Sequence, residues 1–137
     1  MSHTLEFAER LAYDAGRASI TVEVWLSLGD LRIPATAKLD TGASHCIFRR
    51  ELGEALGIDV AAGDRVEIGT VTGSFVAYGH EVTLEAAGIA LDTLVYFAGQ
   101  YDLPRNVLGR RGWMDRLRLA VVDYDGLLYV SRYDDHV

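Results

Sequence analysis

The segment Asp40-Thr41-Gly42-Ala43-Ser44 combines a carboxylate, a hydroxyl and a glycine directly after an alternating apolar stretch. These residue types at the end of a buried strand are typical of peptide hydrolysis by a pair of aspartates. Two carboxylates held about 3 Å apart cannot both ionise, so they share one proton. The ionised partner can then activate a water while the protonated partner donates to the substrate carbonyl. The segment occurs once, so a second aspartate must come from another copy of the chain.

The residues that follow Asp40 suit this chemistry. The Thr41 hydroxyl can hydrogen-bond to the partner loop and hold both aspartates coplanar. Gly42 lets the backbone approach the carboxylates and present an N–H to them. Ala43 leaves room for a substrate backbone, which Ser44 could contact. The bare tripeptide Asp-Thr-Gly also fits a simple turn, but the strands predicted on both sides favour the catalytic interpretation.

The strand that must deliver Asp40 is readable in the sequence. Apolar residues alternate with a period of two over residues 19–28 and again over 31–39, which is typical of half-buried strands. Gly29-Asp30 separates the two stretches with a turn signal. The pattern predicts a hairpin whose second strand ends at Asp40.

The rest of the chain predicts many short strands joined by glycine turns. The predicted elements are a strand at 46–48, a weak helical turn at 49–56, a second hairpin at 65–85 with its tip at 69–73, a helix at 106–116, and strands at 91–97, 117–121 and 127–130. This series predicts an all-β fold, as a closed or orthogonally packed barrel with one short C-terminal helix. Residues 19–137 are predicted to form the domain, and residues 1–18 an N-terminal extension. Within the extension, residues 7–13 fit either a short helix or an added strand.

Composition excludes several classes of protein. With 137 residues, half of them hydrophobic, the chain is long enough for one domain with a core. Its formal net charge of -7 argues against a nucleic-acid partner, which requires a basic surface. Lys38 is the only lysine among the 13 basic residues, and no function follows from that bias.

The sequence also predicts neither cofactor nor metal, and no membrane partner. The lone Cys46 cannot form an internal disulfide, and the four histidines show no pairing at metal-ligand spacing: His3, His45, His80 and His136. The N-terminal residues lack the basic start and apolar core of a signal peptide. No apolar run approaches the roughly 18 residues of a membrane span. A cytoplasmic protein is therefore expected.

Four segments, in order, carry a family resemblance: Leu39-Asp40-Thr41-Gly42-Ala43-Ser44, Ile68-Gly69-Thr70-Val71-Thr72-Gly73-Ser74-Phe75, Asn106-Val107-Leu108-Gly109-Arg110 and Leu117-Arg118-Leu119-Ala120-Val121-Val122-Asp123-Tyr124. Together they resemble the retropepsin-like aspartic proteases, a single-domain family that includes retroviral proteases and bacterial relatives. The resemblance covers residues 19–131 and implies a closed retropepsin-like (acid protease) β-barrel.

The resemblance implies a homodimer with one active site on its two-fold axis and a peptide or protein substrate. It implies that Asp40 is the catalytic aspartate, that Thr41 bridges the dimer and that Gly42 contacts the substrate backbone. It implies that Val107 lines a specificity pocket. Residues that would bind substrate from the tip of a mobile flap are Gly69, Thr70, Val71, Thr72 and Gly73.

The leading functional hypothesis is an aspartic endopeptidase with an acidic to mildly acidic pH optimum, because the dyad must share a proton. The alternative is a catalytically weak or inactive module of the same fold, used for peptide binding or dimerisation. It is motivated by Ser44 and His45, which stand where retroviral members carry acidic residues, so that Arg110 lacks its usual partner. A third possibility is an unrelated β-barrel with an accidental Asp-Thr-Gly.

Overall fold

The structure, a computed structural model, describes residues 1–135 of the chain. His136, part of the histidine argument above, lies outside them. The described residues form ten strands and one α-helix. The helix, α1, is Arg50–Ala55, and the strands are β1 Glu9–Ala12, β2 Thr21–Leu28, β3 Leu31–Leu39, β4 Ile47–Phe48, β5 Asp64–Thr70, β6 Gly73–Ala86, β7 Ile89–Ala98, β8 Asn106–Leu108, β9 Leu117–Val122 and β10 Leu127–Arg132.

Six of these strands close into a barrel. The hydrogen-bonded order is β2-β3-β8-β4-β7-β6, and β6 pairs back with β2 to complete the ring. Every second residue of β2 (Val22, Val24 and Leu26) is buried inside the barrel. Closure of the sheet gives these alternating apolar side chains a common interior. The predicted all-β, closed retropepsin-like barrel is therefore confirmed.

The hairpin β5–β6 projects from this barrel. In the described residues β5 pairs only with β6, whereas the far half of β6 continues into the barrel wall beside β7 and β2. The turn joins Thr70 to Gly73, where Gly73 has φ 156°. The tip at residues 70–73 is exposed and lies within the predicted tip at 69–73. The hairpin itself spans residues 64–86, close to the predicted 65–85.

The N-terminal extension contributes a strand, so its helix alternative is wrong. β1 pairs antiparallel with β10, which pairs with β9 to form a separate three-stranded sheet. The Tyr13 hydroxyl fixes the end of β1 by donating to the Asp123 carboxylate at 2.5 Å. That bond raises the pKa of Tyr13 to about 12. The division between residues 1–18 and 19–137 stays a prediction.

The helix predicted for residues 106–116 is the main correction in the secondary structure. Residues 106–108 are instead strand β8, which pairs in parallel with β3. Only Met114–Arg116 are helical, as a single 3-10 turn. Gly112, with φ 95°, lies between them in a conformation that an α-helix cannot contain. The α-helix of the described chain is α1, where a weak helical turn was predicted.

Candidate active site

Asp40 lies at the end of β3, where a tight loop begins. Its backbone N–H donates to the Leu108 carbonyl at 3.0 Å, which continues the β3–β8 pairing by one residue. The Gly42 N–H donates to Asp40 Oδ1 at 2.9 Å, and the Ala43 N–H donates to the Asp40 carbonyl at 3.2 Å. The loop thus orients the carboxylate by hydrogen bonds and leaves its side chain 34% exposed.

The chain after β8 holds the loop from the other side. The Arg110 and Arg111 N–H groups donate to the carbonyls of Ala43 and Ser44, each at 2.9 Å. Gly109 makes this approach possible, because a Cβ at this position would overlap the backbone of that loop. The loop that begins at Asp40 and the segment that follows β8 are therefore joined into one unit by backbone hydrogen bonds.

Asn106 joins three segments of this unit. Its buried side chain accepts from the Arg49 N–H at 2.8 Å and donates to the Thr36 carbonyl at 3.1 Å. Buried amides are placed by such paired bonds, since an unpaired one is costly. The Asn106 side chain therefore fixes β8 against β3 and the chain before α1.

Asp40 lies between two cavities beneath the β5–β6 hairpin. One has a volume of about 570 Å³ and the other about 770 Å³. Both are lined by Asp40 and Ala43 from the loop, Ile47 from β4, and Ile68 and Thr70 from the hairpin. Together they form a cleft with the carboxylate at its floor and the hairpin as its roof.

The two cavities differ in charge. The 570 Å³ cavity contains Lys38, whose Nζ lies 3.7 Å from Asp40 Oδ2, and Arg105. The 770 Å³ cavity is lined by Glu67 and His45 instead, and no lysine or arginine is among the described residues that line it. The cleft is therefore cationic on one side of Asp40 only.

His45 is one of the residues that line the larger cavity. Burial lowers the pKa of its imidazole, and the positive charge of Arg111 lowers it further. The ring packs on Tyr96 with centroids 4.7 Å apart. His45 is thus a half-buried residue of the larger cavity whose protonated form is disfavoured.

Most of the predicted site residues meet at this cleft. The smaller cavity is lined by Asp40, Ala43, Thr70, Thr72, Gly73 and Val107, and the larger by Asp40, Gly42, Ala43, Ser44, Gly69, Thr70 and Val71. Thr41 lines neither cavity. It is exposed and lies on a separate concavity with Arg110, Arg111 and Asp115.

Sequence reasoning missed Lys38 and Arg105 as cleft residues. For Lys38 a signal existed, because residues two apart on a strand share a face and Lys38 precedes Asp40 by two. Arg105 lies in the loop between β7 and β8, and no pattern in the sequence predicts that this loop reaches the cleft. Across residues 1–135, no group of three or more potential ligands is placed to hold a metal ion. No helix in this range is long and apolar enough to cross a membrane.

The barrel, the loop and the covering hairpin define the retropepsin-like class of fold. The chain belongs to the aspartyl protease family, whose profile matches residues 20–111. The curated proteins contain no match.

The solved structures that are similar to the chain include two proteases. One is a retropepsin-like aspartic protease from Rickettsia conorii, with a TM-score of 0.62 and 17% identity over 89% of this chain and 98% of that one. The other is EIAV protease complexed with the inhibitor HBY-793, with a TM-score of 0.56 and 24% identity over 73% of this chain and 88% of that one. At these identities the likeness establishes the fold.

Proposed function

We propose that the chain is an aspartic endopeptidase whose active site forms in a homodimer. The observation that carries this proposal is the Asp40 carboxylate, oriented by the Gly42 N–H at the floor of a covered cleft. Family membership and two structural neighbours described as proteases support the same chemistry.

A homodimer is proposed because the mechanism needs two carboxyl groups and the site in one chain supplies only Asp40. In the part of the chain that the structure describes, no second carboxylate hydrogen-bonds to Asp40, and its ion-pair partner is Lys38. An isologous two-fold contact would bring one Asp40 from each chain together. The exposed Thr41 lies beside Asp40 and could hydrogen-bond across that contact.

In the proposed reaction the two Asp40 carboxyl groups share one proton. The ionised carboxylate takes a proton from a water while the water oxygen attacks the peptide carbonyl carbon. The protonated carboxyl group donates its proton to the carbonyl oxygen. Collapse of the tetrahedral species then breaks the C–N bond, and a proton passes to the leaving amine. No metal or covalent intermediate is required.

An extended peptide is the proposed substrate. It would lie between the loop and the β5–β6 hairpin and add backbone hydrogen bonds to both, as strands do at an open edge. Ala43 and Ser44 would contact its backbone from below, the tip residues 69–73 from above, and Val107 a side chain. An acidic to mildly acidic optimum and a cytoplasmic location, with no nucleic-acid or membrane partner, complete the proposal.

The test compares two Asp→Asn variants. Asp40→Asn should abolish cleavage of a peptide mixture at about pH 4 to 7 while the fold remains, because Asn cannot accept the proton from water. Asp92→Asn is the matched control, since Asp92 also precedes a threonine but lies exposed on β7. It should cleave normally.

Sedimentation equilibrium, run in parallel, should give twice the chain mass under conditions of activity. Cleavage by Asp40→Asn at the unmodified rate would refute the mechanism, and full activity in a strict monomer would refute the dimer. Peptide binding without cleavage by the unmodified chain would instead favour a binding module.

A further inference from the structure

We propose that the 570 Å³ cavity beside Asp40 selects an acidic substrate side chain next to the scissile bond, and that Lys38 and Arg105 determine this specificity. The inference rests on the proposed function, because it assigns a substrate class to the same cleft.

Lys38 provides the nearer charge. Its ammonium lies 3.7 Å from Asp40 Oδ2, and its side chain is 33% exposed. It points to the same side of β3 as Asp40, and in the β3–β8 register it lies opposite Val107. A substrate side chain that enters beside Val107 therefore meets an ammonium group where an apolar residue would give only packing.

Arg105 provides the second charge, at the rim. Among residues 1–135 it has no ion-pair partner within 4.0 Å, and its one side-chain hydrogen bond is a 3.4 Å contact with Ser19 Oγ. The guanidinium is thus available to a ligand carboxylate, with which it could form two parallel bonds.

The charge count in this cavity favours an anion. Lys38 and Arg105 contribute two positive charges and Asp40 one negative charge, although the whole chain carries -7. When Asp40 shares its negative charge with a second aspartate and a proton, the positive charges are not fully neutralised. A carboxylate on the substrate would restore the balance.

The remaining walls fit the stem of such a side chain. They are largely apolar: Ile47, Ile68, Phe75, Leu103 and Val107. A substrate side chain seated on these walls would displace water, which would strengthen the attraction between its carboxylate and the two cations. The methylene groups of glutamate would pack on the same surfaces.

The larger cavity does not offer this environment. It is lined by Glu67 and His45, and no lysine or arginine among its described lining residues could pair with an acidic side chain. A two-fold dimer would carry each cavity twice, once on each side of the scissile bond. An acidic residue is therefore expected at the positions that enter the Lys38 cavity, on either side of that bond.

A competing role for Lys38 is to neutralise Asp40 without contacting substrate. The two roles differ in a measurable way. A neutralising lysine affects all substrates equally, whereas a specificity residue changes the ratio between acidic and neutral substrates. Substrate pairs that differ by one carboxylate therefore separate the roles.

The experiment first maps cleavage sites in tryptic peptides of a bacterial proteome. Two peptides are then made that differ only by Glu or Gln at the residue flanking the cleaved bond. We expect kcat/KM to be about tenfold higher for the Glu peptide, the size of a partly buried charge pair, and to fall with added salt. Lys38→Met with Arg105→Gln should bring the Glu/Gln ratio to about one or below.

Arg17→Gln is the matched control, since Arg17 is exposed and pairs only with Asp14 in the described chain. It should keep the ratio. Binding of both peptides to Asp40→Asn, followed by fluorescence anisotropy, gives a second readout that does not need catalysis.

The outcomes separate the two proposals. Cleavage without acidic preference, or a preference that survives the double substitution, overturns the specificity and leaves the protease proposal standing. Absence of all cleavage overturns the protease proposal. In that case the cavity is tested with extended peptides that differ only by Glu or Gln at one central position: tighter binding of the Glu peptide to Asp40→Asn supports the cationic cavity, and equal binding overturns it.

Discussion

Gly109→Ala is the substitution that tests most directly how the active-site loop is held. An added Cβ would overlap the carbonyl oxygen of His45 and lie 2.9 Å from that of Ala43. Gly109 does not adopt a positive φ, so the backbone conformation itself accepts alanine. The entire effect therefore comes from steric overlap with backbone atoms, which cannot move aside as a flexible side chain would.

The magnitude follows from what must move. Overpacking at a well-packed position costs about 1–3 kcal/mol. Displacement of the loop also weakens the two hydrogen bonds from Arg110 and Arg111, each worth about 1 kcal/mol. Together these predict a loss of about 3–5 kcal/mol in the free energy of unfolding, which lowers Tm by roughly 10 °C or more. Peptide cleavage should fall as well, because the loop carries Asp40.

Urea denaturation at fixed protein concentration measures this loss. Trp113, 1% exposed and close in sequence to the perturbed segment, is the fluorescent reporter. Gly69→Ala is the matched control, because nothing lies within 4 Å of its added Cβ. It should remain within about 0.5 kcal/mol of the unmodified chain. Equal stability of the two variants would refute the idea that Gly109 is required for close backbone approach.

Three further outcomes are expected. Asn106→Ala should lower the free energy of unfolding by about 2 kcal/mol in urea titrations, because two partly buried hydrogen bonds, from the Arg49 N–H and to the Thr36 carbonyl, are lost. Cys46 should resist iodoacetamide at mildly alkaline pH in the folded state, since burial raises the pKa of its thiol to about 11. Stability should increase as pH rises from the lowered pKa of His45 to about 6.5 and then level off, because in this window the unfolded chain binds more protons than the folded chain. His45→Gln should flatten this part of the pH profile.

Each of these outcomes has its own control. A urea midpoint unchanged by Asn106→Ala would show that water replaces the amide. Alkylation of Cys46 should become rapid in urea, and equal rates in both states would contradict its burial. A pH profile of stability that is identical with and without the His45 imidazole would exclude that residue as its source.

The barrel was predictable because its signals are local. Residues 19–39 alternate with a period of two and are broken by Gly29-Asp30, so the first hairpin follows from short-range pattern alone. Strand β8 was not, because its parallel pairing with β3 joins residues about 70 apart. Tertiary pairing and the positive φ of Gly112 overrode the helical pattern. The same reason left the N-terminal strand undecided, since its partner β10 is at the other end of the chain.

The same distinction between local and long-range signals applies to the site. Asp40 and its loop were predictable from one contiguous segment. The structure places them beneath the second hairpin. Arg105 was not predictable as a cleft residue, because only the three-dimensional course of the loop before β8 brings it near Lys38. The packing of His45 on Tyr96 was not predictable either, because it depends on β4 lying beside β7.

Strand β6 anchors the hairpin above Asp40 at one end and leaves its other end free. Its 14 residues run unbroken from Gly73 at the free tip to Ala86 in the barrel wall. Any displacement of the tip would therefore have to bend a continuous strand. An added Cβ at Gly79, near the anchored end, would lie 3.0 Å from the Tyr96 ring, so little space is left there for the strand to bend towards β7.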